Sequence, residues 1–201
     1  MKKIIFLGLY LFFISSLVFS YESWLATGFS YGNFFEKETV SANTVNSYIG
    51  APGLDIDNFQ MWNDFGFFIN ISFLFPNNVN IDDDAYNYIF QLGYIIGPAF
   101  KININEKMDI KLGFGFSSQQ IYGKYNNNSL FNINFGVGGD IGFVYIFNRL
   151  LFLDIGTVLN YQFANRAKIE TSIGENIEWS KEYSMFGIRP YLRIGFMFKQ
   201  K

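Results

Sequence analysis

The side chains that could do chemistry in this chain of 201 residues are carboxylates, amines, guanidinium groups and hydroxyls, because the sequence contains no histidine and no cysteine. Histidine and cysteine supply the base or thiolate of most nucleophilic sites and the usual ligands of zinc. Chemistry by a pair of carboxylates is still open, but no pattern fixes two carboxylates beside a loop-built cleft. We therefore predict no catalytic residue, no cofactor and no resident metal, and thus no enzyme.

Two local motifs suggest ligand binding at first sight. Residues 82–84 (DDD) could hold a hard cation through carboxylate oxygens, but no glutamate follows at calcium-loop spacing, so we expect a solvated acidic loop. Residues 136–142 (GVGGDIG) suggest a phosphate-binding loop. However, Ile141 occupies the place of the third fingerprint glycine, and the segment opens no helix. Glycines that recur every second residue along a strand explain this segment better.

A third set of polar groups consists of eight charged residues, four acidic and four basic. They are Asp55, Lys101, Asp109, Lys111, Asp140, Asp154, Arg189 and Arg193. If they are enclosed together, they should pair with one another, because an unpaired buried charge is very costly. Whether they are enclosed depends on the elements that carry them.

Those elements show a two-residue alternation, seen best in residues 186–198 (FGIRPYLRIGFMF). The even positions are all apolar, whereas the odd positions include two arginines and two glycines. Successive side chains of a strand point to opposite faces, so this segment is a strand with one apolar face and one small or charged face. Seven such segments can be found: 24–31, 65–75, 86–104, 108–118, 131–147, 151–163 and 186–198.

An eighth strand is required if the segments close into a bacterial membrane barrel, because such barrels have even strand numbers. Short periplasmic turns fit 62–64, 105–107 and 148–150, and longer outer loops fit 76–85, 119–130 and 164–183. The missing strand must then lie between about residues 47 and 61. The resemblance of residues 48–57 to residues 94–103 supports it. We expect β-bulges at Pro52, Pro98 and Pro190, because proline is unusual inside a sheet.

The volume of the apolar side chains decides which face points inward. Residues 65–75 alone place six bulky side chains on one face: Phe65, Phe67, Ile69, Ile71, Phe73 and Phe75. An eight-stranded barrel is too narrow to hold these and their counterparts, which argues against a soluble barrel with an apolar interior. The glycine-rich opposite face makes room for the charged residues inside. The predicted fold is an all-β, eight-stranded, antiparallel up-and-down transmembrane β-barrel.

The N-terminus has the order of an export signal. Met1-Lys2-Lys3 precedes an apolar run, residues 4–18, and Val18 and Ser20 suit a cleavage site. We predict a signal peptide over residues 1–20 and an outer-membrane barrel over residues 21–201. No cysteine follows the apolar run, so this is not a lipoprotein signal, and the net charge of −2 without a basic cluster gives no reason to expect nucleic acid.

In this pattern the mature chain resembles the small eight-stranded outer-membrane β-barrel proteins of diderm bacteria. Residues 32–37 (GNFFEK) and 72–76 (SFLFP) also resemble small barrels of spirochaetes. The resemblance implies outer-membrane localisation, contact with outer-membrane lipid, assembly by the barrel insertion machinery, and a monomer. One departure is that Phe198 is followed by three polar residues, whereas such barrels often end on an aromatic residue that the machinery reads. Enzymes on this architecture typically use a histidine, which this chain lacks.

The resemblance implies a non-enzymatic protein with an envelope-structural or surface-interaction role, in which the outer loops meet a host or environmental ligand. The alternative is a narrow passive channel for small solutes or hydrophobic ligands. The eight charges are accordingly either a salt-bridged structural plug, which the narrow bore favours, or a polar conduction path. Five aromatic residues form either a contact surface or an aromatic girdle: Tyr48, Tyr122, Tyr125, Trp179 and Tyr183.

Overall fold

The structure is a computed structural model that describes residues 22–40, 43–81, 86–125, 128–171, 174–179 and 182–199. It contains ten strands: β1 (Glu22–Val40), β2 (Asn43–Trp62), β3 (Phe65–Leu74), β4 (Asn78–Ile81), β5 (Tyr86–Asn105), β6 (Met108–Tyr125), β7 (Asn128–Ile146), β8 (Leu151–Thr171), β9 (Gly174–Trp179) and β10 (Glu182–Lys199). Residues 1–20 and 82–84 lie outside the described residues, so the signal peptide and the acidic loop stay predictions. Within the described segments, no helix has the length and apolarity that a membrane span requires.

The sheet closes on itself, because β1 pairs with both β2 and β10. Every pairing is antiparallel, and the order around the barrel is β1-β10-β8-β7-β6-β5-β3-β2. β4 pairs with the outer part of β2, and β9 with the outer part of β8. β4 thus extends the line of β3 at the outer end of the barrel, and β9 extends the line of β10. The predicted eight-stranded up-and-down barrel is thus confirmed, including its second strand.

Strand lengths differ from the prediction at the outer end. Residues 119–130 were expected to form a loop, but β6 and β7 remain paired up to Tyr125 and Asn128. The expected loop 164–183 is wrong in the same way, since β8 runs to Thr171 and folds back as β9. The apolar alternation marks only the part of a strand that faces lipid. Backbone pairing continues beyond it, where both faces carry polar residues and the period is no longer visible.

The prediction of bulges is wrong at Pro98 and Pro190, because the register of each ladder is the same before and after these prolines. At Pro52 the ladder with β1 is unbroken. The ladder on the other side of β2 shifts by one residue beside Pro52, between the pairs Gly53–Leu74 and Gly50–Asn78. A proline removes one donor from the ladder, and the strand loses a bond without gaining an extra residue. Bulges occur elsewhere, for example between Tyr88 and Phe90 in β5.

The two faces of the wall differ sharply in exposure. On β10, Leu192 is 51% exposed and its neighbour Arg193 is 1% exposed, and the alternation runs along the strand. The outward face carries exposed Phe, Ile and Leu side chains on every long strand, with aromatic pairs such as Phe100–Phe114 between neighbouring strands. This exterior is the lipid-facing belt of a membrane barrel.

Candidate functional site

The interior of the barrel contains a dense group of charged side chains in its periplasmic half, the end with the short turns. We call it the central ion cluster. Its members are Asp55 and Asp57 on β2, Lys111 on β6, Asp140 on β7, Asp154 on β8, and Arg189 and Arg193 on β10. All seven are buried, and each lies on the inward face because side chains of a strand alternate.

Arg193 occupies the centre of this cluster. Its Nη1 atom lies 2.9 Å from an Asp140 carboxylate oxygen and 3.2 Å from one of Asp57. Carboxylate oxygens of Asp154 and Asp55 are each 3.5 Å from the guanidinium. The guanidinium carbon also lies 3.4 Å from the centre of the Tyr191 ring. A single guanidinium therefore holds carboxylates from β2, β7 and β8 across the lumen, which its planar set of donors allows.

Lys111 is the second cation that joins strands across the lumen. Its ammonium lies 2.6 Å from an Asp154 oxygen, donates to Asp57, and is 3.8 Å from Asp140. The Tyr191 hydroxyl donates to Asp140 at 2.6 Å. Gly142 makes room for this arrangement, because a Cβ atom there would stand 2.6 Å from the Lys111 Cε atom.

Arg189 connects the central ion cluster to the outer half of the lumen. It lies 3.3 Å from Asp55 and donates a hydrogen bond of 2.6 Å to the amide oxygen of Asn70. The cluster thus contains four carboxylates and three cations, each cation placed within 4 Å of at least one carboxylate. Buried charges in this number are stable only as a paired set.

A smaller group of charges lies at the periplasmic end of the lumen. Glu22 accepts from Lys101 at 2.6 Å, and the Lys199 ammonium is 3.4 Å from the other carboxylate oxygen. The Trp24 indole donates to Glu22 at 2.5 Å. Asp109 is buried and interacts electrostatically with Lys101 and Glu22.

All eight charged residues singled out in the sequence are buried in the lumen, but the structure divides them between two groups. Lys101 and Asp109 belong to the periplasmic group, and the other six to the central ion cluster. Asp57 and Glu22 were missed. Asp57 lies two residues from Asp55 on the same face, so alternation alone could have found it. Glu22 lies before the predicted first strand, residues 24–31. The pairing of β1 with β10 shows that this strand begins at Glu22.

Above the central ion cluster the lumen contains a layer of amides, and a buried apolar cluster that includes Phe34, Ile121 and Met185 fills the outer half with it. We call the amides the outer polar layer: Gln91, Gln119, Asn132, Asn134, Gln162 and Asn165, all buried. Some bonds are made, such as that from Asn165 to Asn134 at 2.8 Å. Many atoms have no partner in the structure, including both polar atoms of Gln91. The adjoining cavity beside Gln119 and Arg189 has a volume of about 10 Å³, roughly the space of one water molecule.

Near the outer mouth a buried glutamate is held by two tyrosines. The Glu36 carboxylate accepts from the Tyr183 hydroxyl at 2.9 Å and from the Tyr88 hydroxyl at 3.1 Å. Tyr88 would face outward if the period of β5 were unbroken. The bulge between Tyr88 and Phe90 turns it into the lumen, which is a common use of a bulge.

The sequence left two interpretations open for five aromatic residues, a contact surface or an aromatic girdle, and the structure places these residues in different positions. Tyr48 lies on the outside of the wall with its ring 5.3 Å from that of Phe35, and Tyr122 lies outside against Phe131. Both fit an aromatic girdle at the edge of the lipid. Tyr183 fits neither interpretation, because it is inside the barrel. The side chains of Tyr125 and Trp179 lie outside the described residues.

Chemically, the central ion cluster is a set of paired charges. Asp57, Asp140 and Asp154 accept hydrogen bonds from ammonium, phenol or guanidinium donors. Asp55 lies within 4 Å of two guanidinium groups, but neither of its carboxylate oxygens accepts a hydrogen bond. Among the described residues, no group of three or more acidic side chains has the arrangement of a metal site.

No family model matches the chain, and no curated protein matches its sequence. Solved structures share its fold, and two of them serve as examples. Neisserial surface protein A (NspA) is 11% identical with a TM-score of 0.62, over 88% of this chain and 97% of that chain. The outer membrane protein OprG from Pseudomonas aeruginosa is 11% identical with a TM-score of 0.65, over 90% of this chain and 97% of that chain. At this identity the likeness concerns the fold. Together with the lipid-facing exterior, that fold is an outer-membrane β-barrel, which gives outer-membrane localisation.

Proposed function

We propose that this protein is a non-enzymatic barrel with a closed lumen, whose specific role lies in the parts that extend beyond the outer edge of the lipid. The observation that carries the proposal is the central ion cluster. Arg193 and Lys111 together join β2, β6, β7, β8 and β10 across the barrel. A wall bridged in this way leaves no room for a solute to pass.

The cost of opening the lumen supports a structural plug. Passage would require breaking several buried ion pairs at once, and each separation leaves charges unpaired in a medium of low polarity. The cavity of about 10 Å³ above the cluster could hold a water molecule but no larger solute. A static plug is therefore favoured over a conduction path.

The shape of the outer rim supports a surface-interaction role. β8 continues to Thr171 and returns as β9, and the β1–β2 hairpin continues to Val40 and Asn43. β3 ends at Leu74, but β4 continues it along β2 to Ile81. These extended, paired strands form a platform on which a host or environmental ligand could be bound.

Several further features belong to the same proposal. The mature chain is a monomer that begins at Tyr21 after cleavage of residues 1–20, and the barrel insertion machinery assembles it. The resemblance of residues 32–37 and 72–76 to spirochaetal barrels suggests a spirochaetal origin. N-terminal sequencing of the outer-membrane fraction tests the cleavage: retention of Met1 there would contradict it.

The closed lumen is tested by recording current across planar bilayers that contain the refolded mature protein. We expect no stable conductance steps.

The outer platform is tested with cells that express either the parent or a variant in which a short glycine-serine turn replaces residues 167–178. The variant should lose adhesion to immobilised serum and matrix proteins while the barrel stays folded. Equal adhesion by both would remove the platform from the proposal.

A narrow channel for small solutes is the second candidate, and the outer polar layer favours it. Buried amides without partners, such as Gln91, are typical of a hydrated space. A solute would then have to cross both the buried apolar cluster of the outer half, which includes Phe34 and Met185, and the central ion cluster. The channel would be supported if the parent protein gave stable conductance and if Gln91→Phe, which fills the outer polar layer, abolished it.

A further inference from the structure

A cleft lies at the periplasmic rim of the barrel, between two short turns and the end of β10. Its volume is about 820 Å³. Three cationic side chains line it, Lys107, Arg149 and Lys199, and the one acidic residue described in its lining is Glu106. The cleft lies at the opposite end of the barrel from the outer platform, and two of its lining residues, Ile146 and Met197, also pack inside the barrel at this end.

The backbone around the cleft is fixed by local hydrogen bonds. The Asn148 side-chain oxygen accepts from the backbone N–H groups of Leu150 and Leu151, both at 2.9 Å. The Asn105 side chain accepts from the Lys107 backbone N–H at 2.9 Å. Such asparagine-stabilised turns hold their shape, so the positions from which Lys107 and Arg149 project are set before any ligand arrives.

The cations of the cleft are available to a ligand. Among the described residues Lys107 and Arg149 form no ion pair, and both are exposed. Lys199 is 50% exposed and shares its charge with Glu22 at 3.4 Å. Two unpaired cations and one partly paired cation outnumber the Glu106 carboxylate in the lining and favour an anion, and an arginine can bind a phosphate through two N–H donors.

Apart from Asn148, the rest of the lining is apolar, and three of its side chains belong to the lipid-facing side of the wall. Phe147 and Leu150 are 53% and 56% exposed, and Phe198 lies beside them. A soluble phosphate would leave this surface unused. A phospholipid would place its phosphate among the cations and its acyl chains along the aromatic and aliphatic side chains, as basic pockets at membrane edges do.

We propose that this cleft binds an anionic phospholipid of the periplasmic leaflet. The ligand class follows from the combination of unpaired cations and exposed apolar side chains at one membrane edge. The site would anchor the barrel at a fixed depth and give it a preferred lipid neighbour. This inference is independent of whether the lumen conducts.

The test is native mass spectrometry of the refolded mature protein, released from mixed vesicles with equal amounts of phosphatidylglycerol and phosphatidylcholine. We expect the parent to retain phosphatidylglycerol preferentially. Lys107→Gln and Arg149→Gln should each lower that preference about fivefold, because each cation near the surface adds a comparable attraction to anionic lipid. Lys37→Gln, which removes an exposed lysine at the outer end of β1, is the matched control and should change nothing.

Several outcomes separate this proposal from its rivals. Arg149→Lys should keep most of the preference, which shows that a loss in Arg149→Gln reflects charge and not folding. Equal retention of the two lipids by the parent would overturn the proposal, as would a double variant that behaves like the parent. Displacement of the lipid by soluble glycerol phosphate would assign the site to a free phosphate compound instead.

Discussion

The periplasmic and outer halves of the lumen belong to the same strands but are filled in different ways. In the periplasmic half, the central ion cluster pairs four carboxylates with three cations, and aromatic rings pack against them. In the outer half, amides share the lumen with a buried apolar cluster, and many of the amide polar atoms have no hydrogen-bond partner. Ion pairs across the lumen close the periplasmic half, whereas neutral side chains fill the outer half.

This difference has a physical reason. A buried carboxylate without a cation is very costly, so the four aspartates require Arg193 and Lys111 to be held in one geometry. A buried amide without a partner costs much less, and one water molecule can satisfy it. We therefore expect stability to depend strongly on the central ion cluster and weakly on the outer polar layer.

The strongest test of this comparison is Arg193→Ala. The change leaves up to four carboxylates without their shared cation and should lower the free energy of unfolding by about 3–5 kcal/mol. Urea titration of the refolded barrel measures it. Gln162→Ala, in the outer polar layer, removes one bond to Ser117 and should cost about 0.5–1.5 kcal/mol.

A mutant cycle sharpens the assignment of Arg193 to its partners. Adding Asp140→Ala or Asp154→Ala to Arg193→Ala removes a stranded carboxylate and should recover part of the lost stability, more for Asp140 because it is closer. If neither double variant is more stable than Arg193→Ala alone, the cluster is not a paired plug and the comparison between the two halves fails.

The next largest effect compares the two faces of one strand. Leu192→Arg places a charge on the lipid-facing side at the middle of β10, directly beside the buried Arg193. We expect a loss of about 2–4 kcal/mol, the cost of an arginine at the centre of a membrane barrel wall. Folding into bilayers at increasing urea measures it. A variant as stable as the parent would mean that this face does not meet lipid.

A smaller effect should follow from filling the space that Gly142 leaves. In Gly142→Ala the new Cβ would stand 2.5 Å from both the Asp154 oxygen and the Tyr191 hydroxyl. Overpacking of this kind costs about 1–3 kcal/mol. Gly139→Ala is the control, because it faces outward on the same strand and its Cβ would approach nothing closer than 3.0 Å. Thermal unfolding followed by circular dichroism should separate the two variants.

The smallest effect is expected at the outer mouth. Tyr183→Phe removes the hydroxyl that donates to Glu36 but leaves Tyr88 as a second donor. One hydrogen bond of this kind contributes about 0.5–1.5 kcal/mol. Urea titration of Tyr183→Phe beside Tyr88→Phe measures both donors. A loss as large as that in Arg193→Ala would show that the outer half is held as firmly as the periplasmic half.

Much of this architecture could be predicted from the sequence. The alternation in residues 186–198 determined that β10 is a strand with Arg189 and Arg193 on one face, because side chains of a strand alternate whatever their neighbours are. The volume of Phe65, Phe67 and their counterparts determined that the apolar face points outward. Strand number followed from the requirement for an even count.

Three features depended on the tertiary structure. The closed barrel brings Arg193 to Asp140, 53 residues away on a strand that does not pair with β10, because the stagger between strands sets which inward side chains share a level. The bulge in β5 turns Tyr88 inward against its local period. Strands β6 to β9 continue past the lipid, where backbone pairing persists without an apolar pattern. The sequence by itself determined which side chains point into the lumen. The closure and stagger of the barrel decided which of them meet, because contacts across a lumen depend on the relative heights of strands that are distant in sequence.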